Sequence, residues 1–206
     1  MRYPSFYTDV EPIELYDPLA DFLGALEGGI ITIDYLDCVK LAGHSCPTVA
    51  GAYRMAQSGL ATLYPDTPPR RSEIEVALTG DEEEGVTGVI GNVIGFITGA
   101  GGIGGFKGIA GRFGRDRRLL YGANIDGDVR LRRLDTGASV TLRYDPSRVP
   151  GDPAMKPLMQ KALKGDATPE EIQRFQDLWQ RRTQAILTAL NTTPFLTITH
   201  PQGESQ

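Results

Sequence analysis

From Gly85 to Phe106 the chain carries no charged residue, and glycine recurs through the run at positions 85, 88, 91, 95, 99, 101, 102, 104 and 105. Such a stretch has few structural options. Spanning a bilayer takes about 20 predominantly apolar residues, and glycine dilutes this run throughout, so it reads as a buried helix followed by a glycine-rich loop. Asp81-Glu82-Glu83-Glu84 stands just ahead of it. Carboxylates in a first turn meet the positive end of the helix dipole, so the helix is expected to open there. Gly91, Gly95 and Gly99, spaced by four, make a flat stripe where another backbone can approach closely. A helix of this kind needs a packed protein around it. With 206 residues, 40% hydrophobic and 23% charged, the chain can build a core, as one domain or one domain with an appended helical segment.

The surrounding segments follow from local signals. Asp17-Pro18 supplies a cap and a proline at the first helical position, predicting a short helix to about Leu26 that ends at Gly28-Gly29. Ile30 to Leu36 is rich in β-branched residues and reads as a strand or the start of a helix. Pro47 opens a helix to about Leu63, with Val49, Tyr53, Ala56, Leu60 and Leu63 at helical spacing. Ser72 to Thr79 alternates as a half-buried strand. Leu119 to Tyr121 is a further strand. Val129 to Leu134 and Ala138 to Tyr144 form a hairpin around Asp135-Thr136-Gly137. After a proline-rich break, Asp152-Pro153 starts one helix. Thr168-Pro169-Glu170-Glu171, a capping box, starts a long one through Leu190 whose apolar face is Ile172, Phe175, Trp179, Ile186 and Leu190. Phe195 to Thr199 is a last strand.

Charge and cysteine content exclude several classes. A net charge of -5 and a pI near 5.1 argue against a dedicated nucleic-acid binder. Cys38 and Cys46 are too few for a disulfide framework, and no Cys-x-x-Cys pair exists for a zinc finger or c-type haem. Met1 to Tyr16 has neither the basic nor the apolar region of a signal peptide. The expectation is no membrane association and a reducing cytoplasm.

Chemistry concentrates at Gly43-His44-Ser45-Cys46-Pro47. His44 and Cys46 lie two apart and, in an extended segment, point to the same side. Cys46 falls at or beside the N-cap of the helix that Pro47 opens, where exposed N–H groups favour an anion. Thiolate with imidazole is a donor pair for a borderline-soft transition metal, zinc first among them, and the minimum equipment for cysteine nucleophilic chemistry. A buried cysteine acting as a small hydrophobe is the structural alternative.

The stretch Leu36-Asp37-Cys38-Val39-Lys40-Leu41-Ala42-Gly43-His44-Ser45-Cys46-Pro47, followed by Gly51-Ala52-Tyr53-Arg54-Met55-Ala56, resembles the opening motif of the FmdE-like family of formylmethanofuran dehydrogenase components. The similarity continues weakly near Val76, resumes at Ile97-Thr98-Gly99 and the glycine-rich stretch with Lys107, and covers about residues 28–145. It implies an α+β core, often an intertwined homodimer, with the His/Cys motif as a metal or active-site cluster, and proximity to molybdenum or tungsten formylmethanofuran dehydrogenases. This chain departs from the pattern. The motif's first histidine falls on Ala42 and the glycine after Cys-Pro on Thr48. The family's Cys-x-x-Asp aligns with Val89 and Asn92, and its cysteine after Thr-Gly aligns with Ala100. A helical tail replaces the C-terminal zinc finger. His44 and Cys46 remain, with Asn92 or a carboxylate from Asp81 to Glu84 as candidates to complete a site. A haem ligated axially by His44 or Cys46 is conceivable, though nothing in the sequence selects it.

Other features compete. Gly99-Ala100-Gly101-Gly102-Ile103-Gly104 matches G-x-G-x-x-G, which with Asp126 downstream would bind a dinucleotide if residues 89–97 were a strand. No Gly-Lys-Ser/Thr is present, so a P-loop is out. Lys107, Arg112, Arg115, Arg117, Arg118, Arg130, Arg132 and Arg133 make the middle of the chain basic. They either engage phosphates or form a solvated face balanced by Asp116, Asp126, Asp128 and Asp135. His200 reads as surface decoration, or as a residue reaching a partner's site. The resulting expectation is an α+β fold with a mixed or antiparallel sheet and packed helices, divided into an FmdE-like core (1–150) and a helical C-terminal extension (151–206). Its function would be metal-dependent binding or catalysis on a small molecule or cofactor. His44 and Cys46 are metal ligands in this reading, or Cys46 is a nucleophile with His44 its partner, and Gly99, Gly101, Gly104 and Lys107 hold a cofactor. The alternatives are a non-catalytic accessory or scaffold protein for a metalloenzyme and a nucleotide-binding protein.

Overall fold

The computed structural model describes residues 3–189 and 195–199. Six α-helices and seven strands order as an α+β fold among these residues. Strands β1 (Ile13–Tyr16) and β2 (Ile30–Ile33) pair antiparallel as a small ribbon. The main sheet runs β4-β3-β5-β6-β7, built from β3 (Ile74–Leu78), β4 (Leu119–Leu120), β5 (Val129–Arg133), β6 (Ser139–Tyr144) and β7 (Leu196–Thr199). Within this sheet, among the described residues, only β3 and β4 pair parallel. The β5–β6 hairpin turns at Gly137, whose φ of 77° only glycine adopts without strain.

Helix α3 (Pro47–Leu63) lies on the sheet and is flanked by α4 (Thr87–Thr98) and α6 (Pro169–Thr188). Val49, Tyr53, Ala56, Leu60 and Leu63 are all buried, as their spacing predicts. The approach to the sheet is close because α3 carries glycine where the sheet's large side chains arrive. A Cβ at Gly51 would overlap the Tyr144 ring, and one at Gly59 would sit 2.7 Å from Leu131. The sheet's answering face is Ile74, Val76, Leu78, Val129, Leu131, Val140 and Leu142, none more than 1% exposed. Each such side chain contributes roughly 1.5–3 kcal/mol on burial.

Several expected boundaries shift. Helix α1 (Pro18–Phe22) keeps its Asp17 cap but stops earlier, because Gly24 turns the chain with φ 63°. Ile30 to Leu36 resolves into both readings, β2 and then α2 (Tyr35–Ala42) behind an Asp34–Asp37 capping box. The charge-free run is a helix of 12 residues, well short of a span, and no helix among the described residues is long and apolar enough to cross a membrane. Helix α4 does not open on the acidic cluster. Gly85 takes φ 54°, which no helix admits, so residues 81–84 form a turn ahead of it, with Asp81 N–H donating to Glu84 at 3.3 Å. The glycine stripe serves three different neighbours. Gly91 accommodates Tyr121, Gly95 sits 2.8 Å (from its would-be Cβ) from the Ala100 carbonyl of the returning loop, and Gly99 is the left-handed C-cap at φ 73°.

The C-terminal helices α5 (Met155–Lys164) and α6 pair with each other, and Lys161 meets Glu171 of the capping box at 2.6 Å. The later turns of α6 enter the core through Thr183, Ile186 and Leu187, while Ile172 near its start is 38% exposed. Strand β7 completes the sheet edge on β6, with Phe195 buried beside it. Leu190 and His200 lie outside the described residues.

Candidate functional site

The Gly43–Pro47 segment is an elbow between two helices, and its shape follows from both caps. Gly43 ends α2 in the left-handed conformation (φ 74°), its N–H on the Val39 carbonyl. Cys46 is the N-cap of α3, its Sγ accepting the Val49 N–H at 3.5 Å, with Pro47 at the first helical position. Between the caps stand His44 and Ser45. Neighbouring elements pin them. Trp179 Nε1 on α6 donates to the Ser45 carbonyl at 2.9 Å, and Tyr144 OH on β6 donates to the Pro47 carbonyl at 2.8 Å. The buried Ser45 hydroxyl donates to Gln180 at 3.2 Å and so takes its other bond, at 2.9 Å, from Tyr35. Ser45 goes inward and leaves His44 exposed beside it. The His44 Nδ1 lies 2.9 Å from the Ala42 carbonyl. A carbonyl only accepts, so Nδ1 carries the hydrogen and Nε2 holds the lone pair of the neutral ring.

Two cavities meet at this residue. The larger, about 580 Å³, lies between the elbow, α4 and the glycine loop that follows it. The smaller, about 460 Å³, is bounded by Cys46, Pro47, Trp179 and Arg182. His44 and Val89 border both. His44 and Cys46 thus do share one cavity, and Gly99 and Gly101 line the other. Gly104 and Lys107 line neither; Lys107 Nζ is engaged by the Ile103 carbonyl at 2.9 Å and Asp116 at 3.0 Å. Because residues 89–97 are helical, the strand–loop–helix of a dinucleotide fingerprint is not what carries these glycines.

Four of the departures from the resembled family's motif converge in space. Ala42, Val89, Asn92 and Ala100 all line the larger cavity with His44. Zinc held by protein takes three ligands in catalytic sites and four in structural ones. Among the described residues no three His, Cys, Asp or Glu side chains come together in that way. Asp81 to Glu84 line neither cavity that His44 borders. The donor set present, His44 and Cys46 with three apolar substitutions and one amide opposite, does not fit a metal held by this chain alone. Cys38 adds nothing to it: burial, with the charges of Asp37 and Asp34, pushes its thiol up to about 12, and it packs as a small hydrophobe.

The larger cavity has a charged edge that the sequence did not announce. Asp17, 2% exposed, caps α1 by accepting from Leu19 and Ala20 at 3.0 and 3.2 Å, and also receives Arg71 Nη1 at 2.8 Å and Arg115 Nη2 at 2.8 and 3.0 Å. Burial works to raise its pKa, but the Arg71 hydrogen bond, the Ala20 amide and the two guanidinium charges more than offset it and hold the carboxyl below its usual range. Arg71 also donates to the Phe96 and Ile97 carbonyls at 2.8 and 3.2 Å, satisfying the C-terminal end of α4. Both arginines line the cavity. Elsewhere in the basic segment, guanidiniums meet carboxylates. Arg133 pairs with Asp135 at 2.6 Å, and Arg130 and Arg132 reach Glu75 at 3.6 and 4.0 Å.

In comparison with protein families, the model described as FmdE, molybdenum formylmethanofuran dehydrogenase operon, matches residues 41–195. That span includes the elbow, α4, the glycine loop and both cavity arginines. No curated protein matches the chain.

Proposed function

We propose, from the premise that the chain belongs to the FmdE family, that it binds a small molecule in the cavity beside His44 and acts as an accessory protein rather than through a metal of its own. The family's description places it in an operon with a molybdenum enzyme, which supports a role beside such an enzyme. The observation that carries the reading is the convergence on one open cleft. His44, on an elbow held by three neighbouring elements, faces the positions where the family pattern carries ligating residues, and here those positions are Ala42, Val89, Asn92 and Ala100. What remains is a ligand-sized, mostly apolar chamber with an imidazole on its wall, the usual form of a small-molecule site. His44 can offer its Nε2 as an acceptor or, when protonated, as a donor. Asn92 offers both an amide donor and a carbonyl acceptor.

N-phenyl-1-naphthylamine, a neutral apolar probe whose fluorescence rises on leaving water, tests this directly. It is expected to bind one per chain in the wild type. Val89→Trp or Ala42→Phe, which put aromatic bulk into the cavity, should abolish that binding while leaving the circular dichroism spectrum unchanged. Binding that survives both substitutions would place the probe elsewhere and overturn the assignment.

A further inference from the structure

The larger cavity is asymmetric in charge, and the asymmetry specifies what enters it. Two guanidiniums, Arg71 and Arg115, line it, and no carboxylate among the described residues does. Their shared counter-ion, Asp17, supplies one negative charge for the two positive ones, so the edge keeps a net positive charge. The two arginines are not equivalent. Arg71 is committed through Nε, Nη1 and Nη2 to Ile97, Asp17 and Phe96. Arg115 is bonded to Asp17 through Nη2 alone, and its Nε is buried with no acceptor. Its Nη1 is not buried and enters no hydrogen bond among the described residues, so it is the donor left for an incoming acceptor. Arg115 is also set in place rather than left on a loose loop. Its carbonyl receives the Gly101 N–H at 2.7 Å, and its N–H donates to Phe106 at 2.7 Å. Away from this edge the wall is Val89, Val93, Phe96 and Leu119.

We infer that the cavity takes an organic anion, an oxyanion head group on an apolar body. Its head accepts from Arg115 beside the Asp17–Arg71 pair, and its body lies along α4. This rests on the small-molecule reading above and names the class of that ligand. Carboxylates, sulfonates and phosphate monoesters share the head-group chemistry, because a planar guanidinium presents parallel donors to any of them. Arg71 holds Asp17 and the end of α4 and thereby positions Arg115; Arg115 is the residue that touches the ligand.

Two probes that share an aromatic frame and differ in one sulfonate separate the claims: 8-anilino-1-naphthalenesulfonate and neutral N-phenyl-1-naphthylamine. At low salt both are expected to bind one per chain, the sulfonate at least ~10-fold more tightly, the size of one charge-assisted hydrogen bond. Arg115→Gln should erase that preference; Arg115→Lys, which keeps the charge, should retain part of it. In the wild type, added salt should weaken the sulfonate and not the amine, a readout that requires no variant. If both probes bind and the sulfonate shows neither preference nor salt dependence, the anion assignment is overturned while the cavity reading stands. If neither binds at one per chain, the cavity reading itself fails.

Discussion

Asp17→Ala is expected to destabilise the fold by about 3–5 kcal/mol, the cost of removing one member of a buried, hydrogen-bonded ion cluster. The carboxylate does three jobs from a position that is 2% exposed: it caps α1, binds Arg71 and binds Arg115. Its loss leaves two partly buried guanidiniums without their counter-ion, one of which also holds the carboxyl end of α4. Urea denaturation of the wild type and the variant measures the difference, and a loss under ~1 kcal/mol would show the cluster to be an ordinary surface pair. The same group sets a pH dependence. The Asp17 carboxyl is held below its usual value in the folded state, so its contribution is present in full above the unfolded value of about 3.9 and is lost as pH falls below that toward the folded value. The acid limb of the stability curve should therefore be shallower in Asp17→Ala than in the wild type.

Gly51→Val is expected to cost about 3 kcal/mol, although valine is a better helix former than glycine. A Cβ at Gly51 would overlap the Tyr144 ring. That ring cannot easily retreat: its hydroxyl holds the Pro47 carbonyl and its face meets Phe195 edge-on at 6.1 Å. The elbow carrying His44 is thus tied to the spacing between α3 and β6, and pushing them apart should loosen the site as well as the core. Gly102→Ala is the matched control. It lines the cavity, but its Cβ would meet nothing within 4 Å, so its stability should stay within ~0.5 kcal/mol of wild type. Equal losses in the two variants would contradict the packing account.

What could be read from the sequence was what is encoded locally. Cys46 and Pro47 announce the start of α3 because an N-cap and its following proline are adjacent. Thr168 and Glu171 announce α6 for the same reason, three residues apart. The family resemblance at Gly43–Pro47 pointed to the elbow, and Ala42, Val89, Asn92 and Ala100, aligned one by one, prove to be neighbours in space. The start of α4 departs from expectation because the acidic cluster resembles a first turn, whereas the backbone decides at Gly85, whose positive φ stops helical propagation. The charged edge of the cavity was out of reach. Asp17 meets Arg71 across 54 positions and Arg115 across 98, and no spacing rule connects such residues. In sequence Arg115 is one of a run of basic surface residues. What separates it is the fold of the glycine loop, where Gly101 brings the backbone close enough to turn that one guanidinium inward. Ser45 gives no warning either, because a serine between a histidine and a cysteine carries no signal of burial; its partners, Tyr35 and Gln180, come from other helices.

The central claim is that His44 borders the site that binds, and the chain contains only two histidines, His44 and His200. Nitrogen-15 NMR of the two imidazoles, assigned with His44→Ala and recorded while N-phenyl-1-naphthylamine is titrated to saturation, reads the contact at a single residue. The account predicts that the His44 Nε2 resonance moves with the same saturation curve as the fluorescence, and that it stays still in Val89→Trp. Saturable binding with both His44 nitrogens unmoved would contradict it.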